Sequence, residues 1–269
     1  MILIWQTLEG AYSDLYYEWI TQVLFSQYSS IIHVRDYGSL KTVRNNAVIV
    51  YYCDRPKVSE TFLKYLNRFK LENKDFFLLH LSQDTTNSHD TLYYSLAQHV
   101  FYTNPYQNAV NATWVPLGFR TGFMNYTTVT PSNFRKYSIV YIGNKIIDKL
   151  RMIPNSKQFI IPHPRYSFPI HIKQMYCDSN YTYLLYLNTS TLFEALEWGS
   201  IPIIENKLID FNCDFTSPIF TAFHILYTNI CTEINDHVDY ASLNRCYIQL
   251  KQIIGSTVYS EMIKHSVVI

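Results

Sequence analysis

Leu187-Asn188-Thr189-Ser190-Thr191-Leu192-Phe193-Glu194-Ala195-Leu196-Glu197-Trp198-Gly199-Ser200-Ile201-Pro202-Ile203-Ile204-Glu205 joins a polar turn, a short helix, a glycine stop and a buried strand in one unit. Asn188, Thr189, Ser190 and Thr191 are all suited to cap a helix, and the helix they open leaves its first backbone N–H groups without intrahelical partners. Such a start suits an anionic ligand, and a diphosphate fits it. Glu194 falls in the first turn, where its carboxylate can meet ligand hydroxyls. Gly199 ends the helix, and Ile201 to Ile204 is an apolar run of the kind buried in parallel sheets. Read without a ligand, the stretch is an ordinary αβ unit in which Phe193, Leu196 and Trp198 are core.

Working outward from this unit, strand and helix signals alternate along the whole chain. Toward the amino terminus, strands are predicted at Ile2 to Trp5, Ile31 to Val34, Val48 to Tyr52, Phe76 to Leu81, Val100 to Tyr102 and Thr113 to Leu117. Helices are predicted at Ser13 to Phe25 and Glu60 to Phe69. The polar segment Tyr126 to Lys136 reads as a linker. Beyond it come a strand at Ser138 to Ile142, a helix near Ile147 to Met152, a strand at Gln158 to Ile161, a helix near Ile170 to Asp178 and a strand at Thr182 to Leu187. The helix 190 to 198 and Ile201 to Ile204 follow, and helices near Ser242 to Ile254 and Val258 to His265 close the chain. This pattern predicts an α/β protein of two Rossmann-like domains, residues 1–130 and 131–269, facing one another across a cleft, with the last helix packing back on the first.

Composition excludes several classes. With 269 residues, 48% hydrophobic and 16% charged, the chain has enough apolar material for a proper core and is not a disordered sequence. A net charge of +1 without a basic run argues against nucleic acid as a partner. The 16% aromatic content, 24 of the residues tyrosine, suits sugar binding but follows equally from strands and cores. Cys53, Cys177, Cys213, Cys231 and Cys246 are odd in number and widely spaced, which points to free thiols in a reducing compartment. Met1 to Trp5 reads as a first strand rather than a signal sequence, and no apolar stretch approaches the roughly 20 residues that span a bilayer. The expectation is a soluble, cytoplasmic protein. The Asn-x-Ser/Thr triplets at Asn111, Asn125, Asn180 and Asn188 are then chance matches.

Phe193-Glu194-Ala195-Leu196-Glu197-Trp198-Gly199-Ser200-Ile201-Pro202-Ile203-Ile204 resembles the Glu-Ala-Leu, Gly, Ile-Pro signature of exostosin-like glycosyltransferases, a GT-B family. Phe76-Phe77-Leu78-Leu79-His80-Leu81-Ser82-Gln83-Asp84, Val100-Phe101-Tyr102 and Val115-Pro116-Leu117-Gly118-Phe119-Arg120-Thr121-Gly122-Phe123 are similar in order and spacing to the amino-terminal half of its ribitol-xylosyltransferase-like and large-DNA-virus xylosyltransferase members. Tyr137-Ser138-Ile139-Val140-Tyr141-Ile142-Gly143, with Arg151 shortly after, is similar to the strand that opens their donor domain. The resemblance spans roughly residues 75 to 206. Two departures stand beside it: Ser82-Gln83-Asp84 replaces a common Ser-Asp-Glu, and Thr191 stands where an arginine is usual. Arg151, Lys149, Arg165 and Lys207 are the alternatives for that missing positive charge. Cellular exostosin relatives are usually membrane-anchored, so this chain is expected to be a trimmed or a naturally soluble form, the latter of the viral or bacterial kind, in host cytoplasm if viral.

The resemblance implies an inverting glycosyltransferase using a uridine diphosphate sugar, with UDP-xylose the donor and a glycan hydroxyl the acceptor. Donor contacts are expected from Gly143, Asn144, Arg151, Asn188, Thr189, Ser190, Thr191 and Glu194. No Asp-x-Asp occurs, and Asp236-His237-Val238-Asp239 has the wrong spacing for one, so transfer without a metal is predicted, with the helix dipole and cationic side chains holding the diphosphate. Asp84 is the first choice of general base, with Glu9 and Asp14 as alternates, while His80 reads as a core histidine. Asp84 reads equally as a loop aspartate capping the next helix. An inactive GT-B-like module that binds glycan or partners is the alternative function. A nucleotide-sugar epimerase or dehydrogenase is disfavoured, because neither half contains Gly-x-Gly-x-x-Gly.

Overall fold

The computed structural model describes residues 3–5, 15–30, 46–52, 60–72, 74–81, 92–103, 111–125, 127, 129, 132–161, 169–206, 216–234 and 238–266. The chain forms two compact units: Met1–Leu117 with Asp210–Thr221 and Lys251–Ile269, and Gly118–Ile209 with Ala222–Leu250. The segment 126–136, a linker by its composition, thus lies within the second unit. The α/β class and the two separate parallel sheets expected from the sequence are both observed.

In the first unit, β1 (Leu3–Trp5), β2 (Ala47–Tyr52), β3 (Phe76–Leu81), β4 (His99–Tyr102) and β5 (Ala112–Trp114) form one parallel sheet in that order. β3 lies in its middle and every residue of it is buried, which is why Phe76 to Leu81 reads as a continuous rather than alternating apolar run. α2 (Glu60–Leu71) buries Phe62, Leu66 and Phe69, the i, i+4, i+7 stripe of its sequence, and Phe62 stacks on Tyr51 at 4.0 Å. α1 (Tyr17–Trp19) widens at once into a π-helical turn over Ile20–Leu24, closed by Phe25 N–H on the Ile20 carbonyl at 3.0 Å. β5 ends at Trp114, short of the predicted Leu117. The predicted strand at 31–34 lies outside the described residues.

α6 (Tyr240–His265) corrects the expectation of two closing helices. The helix runs unbroken through Gly255, where a Cβ would meet the Val23 carbonyl oxygen at 2.8 Å and Ser26 Oγ at 2.9 Å. Gly255 is there for close packing against the π-helical turn, and it does not stop the helix. α5 (Pro218–Thr228) is a further helix for which the sequence reading made no assignment.

The second unit holds β6 (Tyr137–Gly143), β7 (Ser156–Ile160), β8 (Ser179–Tyr186) and β9 (Ile201–Asn206), all parallel, in the order β7-β6-β8-β9. On one face Ile139, Tyr141, Tyr183 and Ile203 pack with Ile147, Leu150 and Cys231. α3 (Pro169–Cys177) lies against β6 and β8, and α4 (Thr189–Glu197) against β9. The helix predicted near residues 147–152 is a 3-10 turn, Asp148–Met152. Cys177, Cys231 and Cys246 are free thiols, and Cys53 and Cys213 lie outside the described residues. Among the described residues, no helix is long and apolar enough to cross a membrane.

Candidate functional site

Strand order singles out one end of the second sheet. From β6 the chain passes through the 3-10 turn to β7 on one side, then through α3 to β8 on the other side of β6. The connections that leave the carboxyl ends of β6 and β8 therefore diverge, and in open parallel sheets such a reversal opens the crevice where ligands bind. The register pairs Tyr141 with Tyr183. Continued two residues, it sets Gly143 level with Leu185, so Gly143 and Asn144 on one strand and Asn188 beyond the other flank the same point of reversal.

Of the four capping candidates the chain uses the first. Asn188 has extended backbone (φ −123°, ψ 109°), its Oδ1 accepts the Thr191 N–H at 3.2 Å, and its carbonyl accepts the Leu192 N–H at 2.9 Å. Asn188 is exposed, Thr189 and Thr191 half-buried and Ser190 buried. The far end closes as the sequence indicates. Gly199 has φ +78°, and a Cβ there would fall on Val129 Cγ1 and Arg135 Nη2.

Glu194 lies in the second turn of α4 rather than the first expected from the sequence, because the cap is Asn188, and on the inward side of the helix. Its carboxylate is fully buried and held in a fork by Arg120, Nε to Oε1 at 2.6 Å and Nη2 to Oε2 at 2.8 Å, while the Arg120 backbone N–H reaches Oε1 at 3.2 Å. Phe123 lies against the guanidinium, 4.9 Å from ring centroid to Cζ. Ser190 Oγ stands 3.5 Å from Oε1. Tyr176 is buried near the same carboxylate, and burial first, then the negative charge of Glu194, raises its pKa well above the ordinary tyrosine value. Glu197, one turn on, accepts from the Tyr247 hydroxyl at 2.8 Å and from the Asn125 N–H at 3.3 Å. Both carboxylates of the Glu-Ala-Leu-Glu segment are thus inside the unit, each met by donors from other segments.

At the strand ends the groups are more open. The Tyr141 ring end folds over Gly143, where a Cβ would fall on the phenol oxygen. Lys149 and the Tyr183 hydroxyl both hydrogen-bond Glu205 at β9, and the lysine Nζ stands 5.1 Å from the Tyr183 ring centroid. The Lys149 hydrogen bond, then that of Tyr183, lowers the Glu205 pKa, while burial and then Glu205 raise that of Tyr183 to about 12. Arg151 is exposed and pairs with Asp148 at 3.4 Å.

Apart from Arg151, exposed on the 3-10 turn, the sequence-predicted donor residues separate into three groups. Gly143 and Asn144 stand at the end of β6, Asn188 to Thr191 at the start of α4, and Glu194 is enclosed behind them with Arg120. Asp84, Glu9 and Asp14, the candidate bases, and Arg165 and Lys207, two of the candidate cations, lie outside the described residues. His80 is buried between two phenols, its Nδ1 2.7 Å from Tyr94 Oη and 3.0 Å from Tyr93 Oη. Sequence reasoning missed the roles of Arg120, Tyr176, Glu197 and Glu205. Arg120 is 74 residues from its partner, and no local pattern marks the pairing. Compared with known proteins, the chain matches no protein-family model and no curated protein sequence.

Proposed function

We propose that the carboxyl ends of β6 and β8 bind a nucleoside diphosphate sugar and that the chain is an inverting glycosyltransferase acting without a metal. The observation that carries this reading is the reversal of strand order at β6, with Gly143 on one side and the Asn188-capped start of α4 on the other. A helix start and the nearby Lys145 favour a diphosphate by dipole and charge, and the same groups stabilise it as a leaving group. Inversion requires a base that takes the acceptor hydroxyl's proton as that oxygen attacks the anomeric carbon. Asp84 is the base this reading nominates. Uridine as the nucleoside, xylose as the sugar and a glycan hydroxyl as the acceptor follow from the resemblance. The buried fork between Arg120 and Glu194 serves here to hold α4 and its cap in place.

That fork also favours a second reading. A carboxylate already enclosed by Arg120 and Tyr176 is not open to sugar hydroxyls, as a GT-B-like module that binds a ligand without turning it over would allow. A panel of nucleotide sugars, scored for thermal stabilisation and for donor hydrolysis with and without EDTA, separates the two. Stabilisation by UDP and UDP-xylose with EDTA-insensitive turnover is the expected result. Binding without turnover selects the module, and a panel with no stabilisation at all overturns the site.

A further inference from the structure

We propose that His99, Glu261 and His265 form a binding site for a divalent transition-metal ion, zinc by its donor set, within the first unit. One ligand atom from each of the three lies within 4.8 Å of the other two. His265 Nε2 stands 3.3 Å from Glu261 Oε2, and His99 Nε2 stands 4.0 Å from the same oxygen. Ligand bonds of about 2.0–2.1 Å in a tetrahedral site put neighbouring donor atoms roughly 3.3–3.4 Å apart. The helix pair already has that separation, and His99 must close by roughly 0.6–0.7 Å on the Glu261 oxygen, and on the His265 nitrogen from a separation within 4.8 Å, to match it. Two imidazoles and one carboxylate, with a fourth position left to water, are a donor set that suits zinc.

The surroundings orient these groups. His99 opens β4, and Glu261 and His265 are spaced i, i+4 on the last turns of α6, so both point to one side of that helix. His99 Nδ1 faces Asn111 Oδ1 at 3.4 Å, and the Asn111 amide is anchored by its own bond to the Gln98 carbonyl at 2.8 Å. A proton on Nδ1 leaves the Nε2 lone pair directed toward the cluster, the orienting arrangement that metal-bound histidines use. In the structure, the Thr113 hydroxyl lies 2.8 Å from Nε2 and would give way to the ion. Burial keeps the ring neutral and able to ligate, its pKa pushed down to about 4. The two imidazoles stack at 4.5 Å with 16° between planes, so the His265 ring, at the half-exposed end of α6, must turn out of the stack before both Nε2 lone pairs meet one ion. Lys264 opposes the ion, because its Nζ reaches Glu261 Oε2 at 3.4 Å, but its side chain is exposed and free to swing away.

None of these residues takes part in the proposed sugar transfer, and the test does not read activity. The full chain is stripped with EDTA, dialysed, and titrated with Zn²⁺ by calorimetry and with Co²⁺ by visible absorption. One saturable equivalent is expected, with a tetrahedral cobalt spectrum and a thermal midpoint raised by about 5–10 °C at a hundredfold excess over Kd. His265→Ala and Glu261→Gln alter groups on the half-exposed helix face, so they keep the fold testable, and each should weaken binding at least tenfold. Lys264→Ala should tighten it several-fold, which a merely stacked histidine pair would not do. No saturable binding in the unsubstituted chain, or binding of equal strength in His265→Ala and Glu261→Gln, overturns the site.

Discussion

The two sheets are made of the same parallel units, yet they differ in order and in what they bury. In the first, β1 to β5 follow one another in chain order, so each described connection steps the same way across the sheet. In the second, the order turns back at β6 and the loops after β6 and β8 diverge. The interiors differ as well. The second unit buries ionic groups, Arg120 with Glu194 and then Glu197, whereas the polar groups buried in the described part of the first are imidazoles, hydroxyls, phenols, indoles and amides. A crevice made by strand order needs the helix beside it held at a fixed angle, and a buried charged fork specifies position more sharply than apolar contact does.

The comparison breaks most visibly at the fork. Glu194→Ala or Arg120→Ala alone should cost about 3–5 kcal/mol in urea unfolding, because each leaves an uncompensated charge inside the second unit. Replacing both, Arg120→Met with Glu194→Leu, should restore most of that loss; single variants within 1 kcal/mol of the parent would refute the buried pairing. Hydrogen exchange should place the loss on β6 and β8 rather than on β2 and β3.

In the first unit the corresponding lever is pH. Burial lowers the folded pKa of His99 from 6.5 to about 4, so the unfolded chain binds the extra proton between those values and stability rises with pH. The contribution is complete above pH 6.5 and is lost as pH falls toward 4, about 3 kcal/mol at most. Glu261, Lys264 and His265 face the ring, so metal-free protein is the right sample, and His99→Gln should flatten that part of the pH–stability curve.

Gly255→Ala tests the close approach of α6 to the π-helical turn. Alanine gains about 1 kcal/mol of helix propensity but must push against the Val23 carbonyl, so a net loss of roughly 1–3 kcal/mol is expected from overpacking. A net gain in thermal midpoint would mean that the two elements are not in contact. The smallest effect belongs to the cap. Asn188→Ala should cost about 1 kcal/mol, and Asn188→Asp should recover it by accepting the same Thr191 N–H. If the proposed donor site is correct, Asn188→Ala should also weaken UDP binding by more than this stability loss explains.

Much of the fold was legible residue by residue. β3 has the bounds read from Phe76 to Leu81, and α4 begins and ends one residue earlier than the sequence suggests. α5 was missed although Ile219, Phe220, Phe223, Leu226 and Tyr227, all buried, recur at helical spacing, with the exposed Thr221, His224 and Thr228 on the other side. The break expected around Gly255 failed because a glycine is a helix stop or a contact point, and only the neighbour in space distinguishes them. At the site, Asn188, Gly143 and Gly199 carried local signals, while Glu194 was read as a ligand contact before its partner at Arg120 was known.

What the sequence by itself determined are features written within a few residues: hydrophobic period, the cap at Asn188, the left-handed stop at Gly199, and the parallel α/β class that follows from their alternation. Strand order, the fork between Arg120 and Glu194, and the meeting of His99 with Glu261 and His265 were decided by tertiary structure alone. Each depends on segments far apart in the chain, 74 residues for the fork. A cap or a period is set by backbone geometry over one or two turns, whereas such partners are chosen by how whole elements pack, and that choice leaves no mark at either residue.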